Sequence, residues 1–263
     1  MATTRRPLIA GNWKMNLDHL QSIAFVQKLA WALKDKKFHE QEVEVTVFPP
    51  FTDLRSVQTL INADNLPVGL GAQDLSPHDE GAHTGDISGV FLKALDCSYV
   101  VVGHSERRAD HHEDDSHVAA KVVAALRHGL IPIVCVGETS EDLERYGASK
   151  IPVDQLAAVL AEIPQGSEFV VAYEPVWAIG SGQAATPDQA EDVCKALRET
   201  IREHHGDEAA DSTRVLYGGS VKSTNIAGFM KRDNIDGALV GGASLDVDEF
   251  VAIARFPHHV SLD

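Results

Sequence analysis

The sequence predicts an α/β protein in which eight parallel strands alternate with helices and close into a (β/α)8 barrel. The 263-residue chain contains eight short apolar runs rich in β-branched residues. Most of these runs are continuously apolar, as strands covered on both faces must be. Segments with helical spacing separate the runs, and no linker rich in Pro, Gly or Ser interrupts the alternation. We therefore expect residues 1–263 to form a single barrel domain.

The eight predicted strands are defined by their apolar runs. They cover residues 8–11, 43–48, 68–72, 99–103, 131–137, 169–173, 214–217 and 237–240. Helical spacing between them is clearest at Ile23, Val26 and Ala30, and again at Val193 and Leu197. An open, doubly wound sheet is the alternative, but no Gly-x-Gly-x-x-Gly fingerprint of dinucleotide binding follows the first strand. The closed barrel is therefore favoured.

The composition argues against two classes of partner. The net charge of -16 disfavours nucleic acid and anionic membranes. A small anionic ligand stays possible, because charges farther away than roughly 8 Å are largely screened at physiological salt and the local field of a pocket dominates.

Three features predict a cytoplasmic protein. The three cysteines are odd in number and lack the spacing of metal ligands, which indicates reduced thiols. The basic N-terminal residues are not followed by the apolar stretch of a secretory signal. No apolar run approaches the roughly 20 residues that cross a bilayer.

In a parallel barrel, chemistry belongs at the carboxyl ends of the strands. The residues that follow the predicted strands include a carboxylate, an imidazole, an ammonium group and glycine-rich turns. They are Asn12, Lys14, Gln73, His104, Ser105, Glu106, Glu174, Gly218, Gly219, Ser220, Gly241 and Gly242. Backbone N–H groups in such turns near helix starts suit an anion.

The sixth strand leads into a predicted lid. Its apolar run ends at Glu174 and Pro175, and the apolar residues 176–179 precede a flexible Gly-Ser-Gly segment that starts at Gly180. Residues 186–189 read Thr-Pro-Asp-Gln, a capping box with Pro at the first helical position, and predict that a helix starts there. Glu174 is thus a candidate base beside a lid of about ten residues.

Several of these residues also fit a purely structural role. His104 can cap the helix that begins at Ser105, and the positive end of that helix would keep its imidazole neutral. Lys14 can be a surface charge or can hold an anion. The segment 110–117, rich in His and acidic residues, fits a solvated helix entrance better than a metal site, because adjacent ligands on a helix point apart. Cys135 fits a small buried hydrophobic residue better than a nucleophile.

Five motifs resemble those of the triosephosphate isomerase family. They are Gly-Asn-Trp-Lys-Met-Asn at 11–16, Gly-His-Ser-Glu-Arg-Arg at 103–108, Ala-Tyr-Glu-Pro-Val-Trp-Ala-Ile-Gly at 172–180, Tyr-Gly-Gly-Ser-Val at 217–221 and Gly-Gly-Ala-Ser-Leu at 241–245. They occur in the family's order and span nearly the whole chain. The resemblance implies a TIM barrel that interconverts dihydroxyacetone phosphate and glyceraldehyde 3-phosphate through an enediolate, without a metal or cofactor. The family is an established example of pKa tuning and lid closure.

The resemblance also implies a role for each matching residue. Glu174 would be the base, His104 a neutral imidazole that polarises the carbonyl group, and Lys14 the cation that stabilises the developing charge. Asn12 would donate a further hydrogen bond, and Glu106 would orient Lys14 or His104. Backbone N–H groups would hold the phosphate at Gly180, Ser220, Gly241 and Gly242.

A second implied feature is a homodimer. Residues 81–88, from Gly81 to Ser88, resemble the family's loop that inserts into a second subunit near its Asn12 and Lys14. The chain departs from the family at Asp86, where Glu is frequent, and at His83, where an aromatic residue is common. It also departs in the lid, which has Ser181 where Thr is frequent and a second hinge, 183–185, that begins at Gln183.

Two other functions are compatible with a phosphate-handling barrel. One is an epimerase or aldolase, but the sequence lacks the metal cluster or the Schiff-base lysine on a middle strand that these would need. The other is a catalytically idle barrel that acts as a binding protein, but Lys14, His104 and Glu174 are all present. The sequence therefore favours the isomerase.

Overall fold

The computed structural model describes residues 5–179 and 184–258. Eight parallel strands pair in chain order, and the last pairs with the first to close the barrel. The strands are β1 Leu8–Asn12, β2 Glu44–Phe48, β3 Gly69–Ala72, β4 Tyr99–Val102, β5 Ile131–Val136, β6 Val170–Tyr173, β7 Arg214–Tyr217 and β8 Gly237–Val240. The predicted closed barrel is confirmed, and the open-sheet alternative is wrong.

Helices follow the strands and cover the outside of the barrel. They are α1 His19–Asp35, α2 Leu54–Asp64, α3 Gly89–Ala94, α4 Ser105–His111, α5 Asp115–Arg127, α6 Ser140–Tyr146, α7 Lys150–Leu160, α8 Pro187–Ser212, α9 Ile226–Met230 and α10 Val247–Ala254. Thr186 caps α8 in a capping box with Gln189, as predicted. Near its end α8 is kinked at Gly206, whose φ is 84°.

The core has two layers. Residues that point into the barrel, among them Leu8, Phe48 and Ile133, form one cluster. Residues on the outer faces of the strands pack against the helices in a second, larger cluster. Cys135 is fully buried inside the barrel, and burial raises the pKa of its thiol well above the ordinary value. The prediction that Cys135 is a small buried hydrophobic residue is therefore confirmed.

The other two cysteines, Cys97 and Cys194, are buried free thiols like Cys135. Among residues 5–179 and 184–258, no helix is long and apolar enough to cross a membrane.

The segment 110–117 joins α4 to α5. Asp114 is the N-cap of α5, which agrees with the predicted helix entrance. Glu113 departs from that prediction because its carboxylate is buried, 2.6 Å from Arg107 Nε and 2.6 Å from Lys121 Nζ. In the part of the chain that the structure describes, no three His, Cys, Asp or Glu side chains could jointly hold a metal ion.

A buried ion pair ties α8 to the amino ends of β7 and β8. Arg198 Nη2 lies 2.6 Å from Asp236 Oδ2, and Arg5 Nε lies 2.6 Å from Asp236 Oδ1. Asp236 Oδ2 also accepts a hydrogen bond from the backbone N–H of Val215 at 2.9 Å. Arg198 Nη1 donates to the carbonyl oxygens of Ala210 and Thr213. The guanidinium of Arg198 therefore links the end of α8 to the residue that precedes β8, and Asp236 extends this link to β7.

Arg198→Met is expected to lower the free energy of unfolding by about 3 kcal/mol, because it leaves a buried carboxylate with one cationic partner fewer. Urea denaturation followed by circular dichroism measures this loss. Lys150→Met is the matched control, since it breaks the exposed pair of Lys150 with Asp154 and should cost less than about 1 kcal/mol. Equal losses in the two variants would contradict the role assigned to Arg198.

Candidate active site

One cavity at the carboxyl end of the barrel collects nearly all of the predicted site residues. Its volume is about 400 Å³. The predicted site residues in its lining are Asn12, Lys14, His104, Glu106, Glu174, Ser220, Gly241 and Gly242. Gly180, the remaining predicted phosphate ligand, lies outside the described residues, as do Ser181 and Gln183. The closed strand order brings these residues together from β1, β4, β6, β7 and β8.

Glu174 follows β6 and is only 2% exposed. Its Oε2 accepts a hydrogen bond from the backbone N–H of Ser105 at 2.9 Å, and its Oε1 lies 3.0 Å from His104 Nε2. A Cβ at position 218 would lie 3.0 Å from Glu174 Cγ and 3.1 Å from the carbonyl oxygen of Tyr173. The absence of a side chain at Gly218 therefore leaves room for the carboxylate.

Glu174 is ionised in this arrangement. Burial raises the pKa of its carboxyl group, but the positive charge that His104 carries when protonated, the hydrogen bonds from His104 and Ser105 and the ammonium of Lys14 together lower this pKa by more. The net pKa of Glu174 is below the ordinary value of 4.5. The carboxylate is therefore deprotonated at neutral pH.

His104 caps α4 and faces Glu174 at the same time. Its Nδ1 accepts a hydrogen bond from the backbone N–H of Glu106 at 3.2 Å. This bond requires an unprotonated Nδ1, so a neutral imidazole carries its proton on Nε2 and donates it toward Glu174. The helix-cap and active-site interpretations of His104 are therefore compatible.

The charge of His104 depends on more than the helix start. Burial lowers the pKa of His104, but the carboxylates of Glu174 and Glu106 raise it by more, so the net pKa is above the ordinary 6.5. The helix start alone favours a neutral imidazole, but the carboxylate of Glu174, at the end of β6, lies 3.0 Å from His104 Nε2 and favours the charged form. The neutral form of His104 stays a prediction.

Lys14 lies in a strained turn that neighbouring side chains stabilise. Its φ of 54° is left-handed, which costs a non-glycine residue roughly 1–2 kcal/mol. Asn12 Oδ1 accepts a hydrogen bond from the N–H of Lys14 at 3.0 Å, and Gln73 Nε2 donates to the carbonyl oxygens of Lys14 and Phe48, both at 2.8 Å. The Lys14 ammonium lies 2.5 Å from Glu106 Oε1. Gln73, which the sequence placed at a strand end without a role, thus supports this turn.

The turns after β7 and β8 form the glycine-rich part of the cavity. Asn225 Nδ2 donates to the carbonyl oxygen of Ser220 at 3.0 Å and so holds the first turn. A Cβ at Gly241 would lie 3.5 Å from Lys14 Cε. The second turn therefore approaches the Lys14 side chain, and an anion held by these turns would also feel its positive charge.

The start of the lid is attached to Glu138, a residue that the sequence analysis missed. Val176–Ala178 forms a 3-10 turn. The indole N–H of Trp177 donates to Glu138 Oε1 at 2.7 Å, and the hydroxyl of Tyr173 donates to the same oxygen at 2.9 Å. Burial raises the pKa of Glu138. The sequence offered one signal for Glu138, because it directly follows the apolar run 131–137 and site residues are expected at strand ends.

The loop 81–88 contains two of the departures from the family, His83 and Asp86. The ring of His83 stacks on that of His78 with 3.8 Å between centroids. Asp86 Oδ2 accepts a hydrogen bond from the hydroxyl of Ser76 at 2.7 Å. Both side chains therefore stabilise the loop against residues just before it.

Comparisons with known proteins agree with this geometry. The family model of triosephosphate isomerase matches residues 7–256. The chain is 67% identical to the triosephosphate isomerase of Leifsonia xyli subsp. xyli over 97% of this chain and 99% of that protein. It is 57% identical to that of Streptomyces avermitilis over 97% and 98%, and 54% identical to that of Mycobacterium tuberculosis over 95% and 96%. The matched range includes every residue of the cavity, and the chain belongs to the triosephosphate isomerase family.

Proposed function

We propose that this protein interconverts dihydroxyacetone phosphate and D-glyceraldehyde 3-phosphate by proton transfer through an enediolate. Membership in an isomerase family supports this reaction. The observation that carries the residue assignments is the convergence of Glu174, His104 and Lys14 on one cavity lined by glycine-rich turns. A base, a hydrogen-bond donor and a cation around one small space suit proton abstraction next to a carbonyl group.

In the first step, Glu174 takes a proton from the hydroxymethyl carbon of dihydroxyacetone phosphate. The electron pair of that C–H bond forms the carbon–carbon double bond of the enediolate, and the carbonyl π pair moves onto oxygen. His104 Nε2–H and the Lys14 ammonium stabilise the negative oxygen. His104 then moves a proton between the two oxygens, and Glu174 returns its proton to the neighbouring carbon.

The contacts of Glu174 explain how a weak base becomes adequate. His104 and Ser105 hold the carboxylate in the free enzyme and lower its pKa. When Glu174 turns toward substrate it gives up these donors, while burial continues to disfavour the charged form. Its pKa therefore rises on engagement, and proton abstraction becomes more favourable.

The remaining site residues bind the charged groups of the substrate, and the lid keeps water away from them. Asn12 donates a further hydrogen bond to substrate, and Glu106 orients Lys14, whose ammonium it contacts. Backbone N–H groups bind the phosphate at Gly180, Ser220, Gly241 and Gly242. The lid excludes water and prevents the enediolate from eliminating its phosphate. This chemistry needs neither a metal nor an organic cofactor.

We further propose that residues 1–263 act as one barrel domain in a cytoplasmic homodimer. The loop 81–88 would insert into the partner subunit close to the partner's Lys14. Met15, directly after Lys14, is 95% exposed in the single chain. A second subunit at this surface would cover that apolar side chain.

Glu174→Gln is expected to lower kcat about 10³-fold in a coupled assay, because the amide cannot accept the proton. The fold, measured by circular dichroism, and the binding of inorganic phosphate should be retained. Glu191→Gln is the matched control, since its carboxylate bonds to Asn234 outside the cavity. Unchanged turnover in Glu174→Gln would refute the mechanism, whereas a wild type without turnover would favour a catalytically idle barrel.

The same variant tests the coupling between the two buried groups. Because the carboxylate of Glu174 raises the pKa of His104, a neutral glutamine at position 174 is expected to lower that pKa. The imidazolium should then form only at a lower pH than in the wild type. NMR titration of the His104 ring measures the shift, and Glu191→Gln should leave it unchanged. A His104 pKa that stays the same in Glu174→Gln would show that the two groups are not coupled.

Sedimentation at micromolar concentration is expected to show a dimer for the wild type. Thr84→Arg places a large cation at the exposed tip of loop 81–88 and should yield monomers with reduced kcat/KM. Thr59→Arg makes the same change at an exposed position on α2 and should leave the dimer intact. A wild-type monomer, or a dimer that tolerates Thr84→Arg as well as Thr59→Arg, would exclude this interface.

A further inference from the structure

Lys222 is a cation at the cavity that the proposed mechanism does not use. It lies in the turn after β7 and lines the same cavity as Lys14, Ser220 and Gly241. Its backbone N–H donates to Asn225 Oδ1 at 2.8 Å, and Asn225 Nδ2 donates to the carbonyl oxygen of Ser220 at 3.0 Å. One asparagine thus fixes the backbone of Lys222 relative to Ser220, while the lysine side chain is exposed.

The charges around the cavity make Lys222 distinctive. The ammonium of Lys14 is paired with Glu106 at 2.5 Å, and Glu174 contributes a carboxylate to the lining. Lys222 makes no ion pair with any of the residues in 5–179 or 184–258. Within those ranges it is the cavity's one lysine or arginine without an acidic partner.

An unpaired cation at this position has a physical consequence. The chain carries a net charge of -16, so its long-range field repels an anionic substrate. Screening limits that repulsion to distances of roughly 8 Å at physiological salt. Charges at the cavity mouth therefore determine how readily an anion enters. The charge of Lys14 is partly neutralised by its ion pair with Glu106, which leaves Lys222 as the unpaired cation among the cavity's described residues.

We propose that Lys222 is a substrate-binding residue that attracts the phosphate dianion toward the turn of Ser220 and the turn of Gly241 and Gly242. This inference rests on the proposed function, since it assumes a phosphorylated substrate. Lys222 acts on encounter and binding of the dianion and takes no part in the proton transfers. Its contribution should appear in KM and weaken as salt increases.

The test compares Lys222→Gln with Lys28→Gln. Both variants remove one positive charge, but Lys28 lies on α1 and lines a separate groove beside Trp31. At low ionic strength Lys222→Gln should lower kcat/KM roughly threefold, with the loss in KM rather than kcat, and the difference should vanish near 0.5 M NaCl. Lys28→Gln should follow the wild type at every salt concentration, and Lys222→Arg should restore most of the loss.

Titration calorimetry with inorganic phosphate separates this inference from the proposed function. Lys222→Gln should bind phosphate roughly threefold more weakly than the wild type at low salt, whether or not the enzyme turns over triose phosphates. A wild type without turnover would refute the proposed function alone. If Lys222→Gln matches Lys28→Gln in phosphate affinity and in the salt dependence of kcat/KM, Lys222 is an ordinary surface lysine and the inference is wrong.

Discussion

The buried carboxylate of Glu174 is the group around which the active site is organised. At 2% exposure, an ionised carboxylate without hydrogen bonds would cost several kcal/mol. The barrel supplies its donors from outside β6: His104 Nε2 and the N–H of Ser105 follow β4. Gly218, after β7, leaves it space. The carboxyl ends of β4, β6 and β7 must therefore lie at the same level along the barrel axis. The continuous parallel register from β4 through β5 and β6 to β7 ensures this.

The same contacts that stabilise Glu174 also restrain it. In the proposed mechanism the carboxylate gives up these hydrogen bonds to reach substrate, so binding energy must replace them. The neighbouring parts of the site do not depend on Glu174 for their position, because other residues hold them. Gln73 and Asn12 hold the left-handed turn of Lys14, and Glu138 holds the first turn of the lid through Trp177. The proposed mechanism therefore requires a change of partners at Glu174 but none at Lys14.

The cavity differs in its local charge from the strongly acidic chain as a whole. Its net charge of -16 says little about the cavity, where the ammonium groups of Lys14 and Lys222 lie with glycine-rich turns. Glu106 lies 2.5 Å from the ammonium of Lys14 and holds it in place. Asn225 accepts a hydrogen bond from the backbone N–H of Lys222 and positions that residue. Short-range placement dominates because salt screens the distant acidic surface. Net charge therefore disfavours nucleic acid as a partner without excluding a phosphorylated substrate.

The sequence by itself determined the eight strands, the helix start at Thr186 and the residues at the strand ends, because apolar runs, caps and motifs are local patterns. Strand boundaries agreed within about one residue, and Lys14, His104 and Glu174 lie together as the barrel prediction required. Only the tertiary structure decided the role of Glu138, the support that Gln73 gives Lys14, the burial of Glu113 and the effect of Glu174 on the pKa of His104. The contacts of Glu138, of Gln73 and of Glu174 with His104 join groups that lie 35 to 70 residues apart in the chain. Glu113 is buried by contacts that a pattern of hydrophilic residues does not predict. A periodic pattern specifies the face and the end of an element, but the closure of the barrel specifies which side chains meet there.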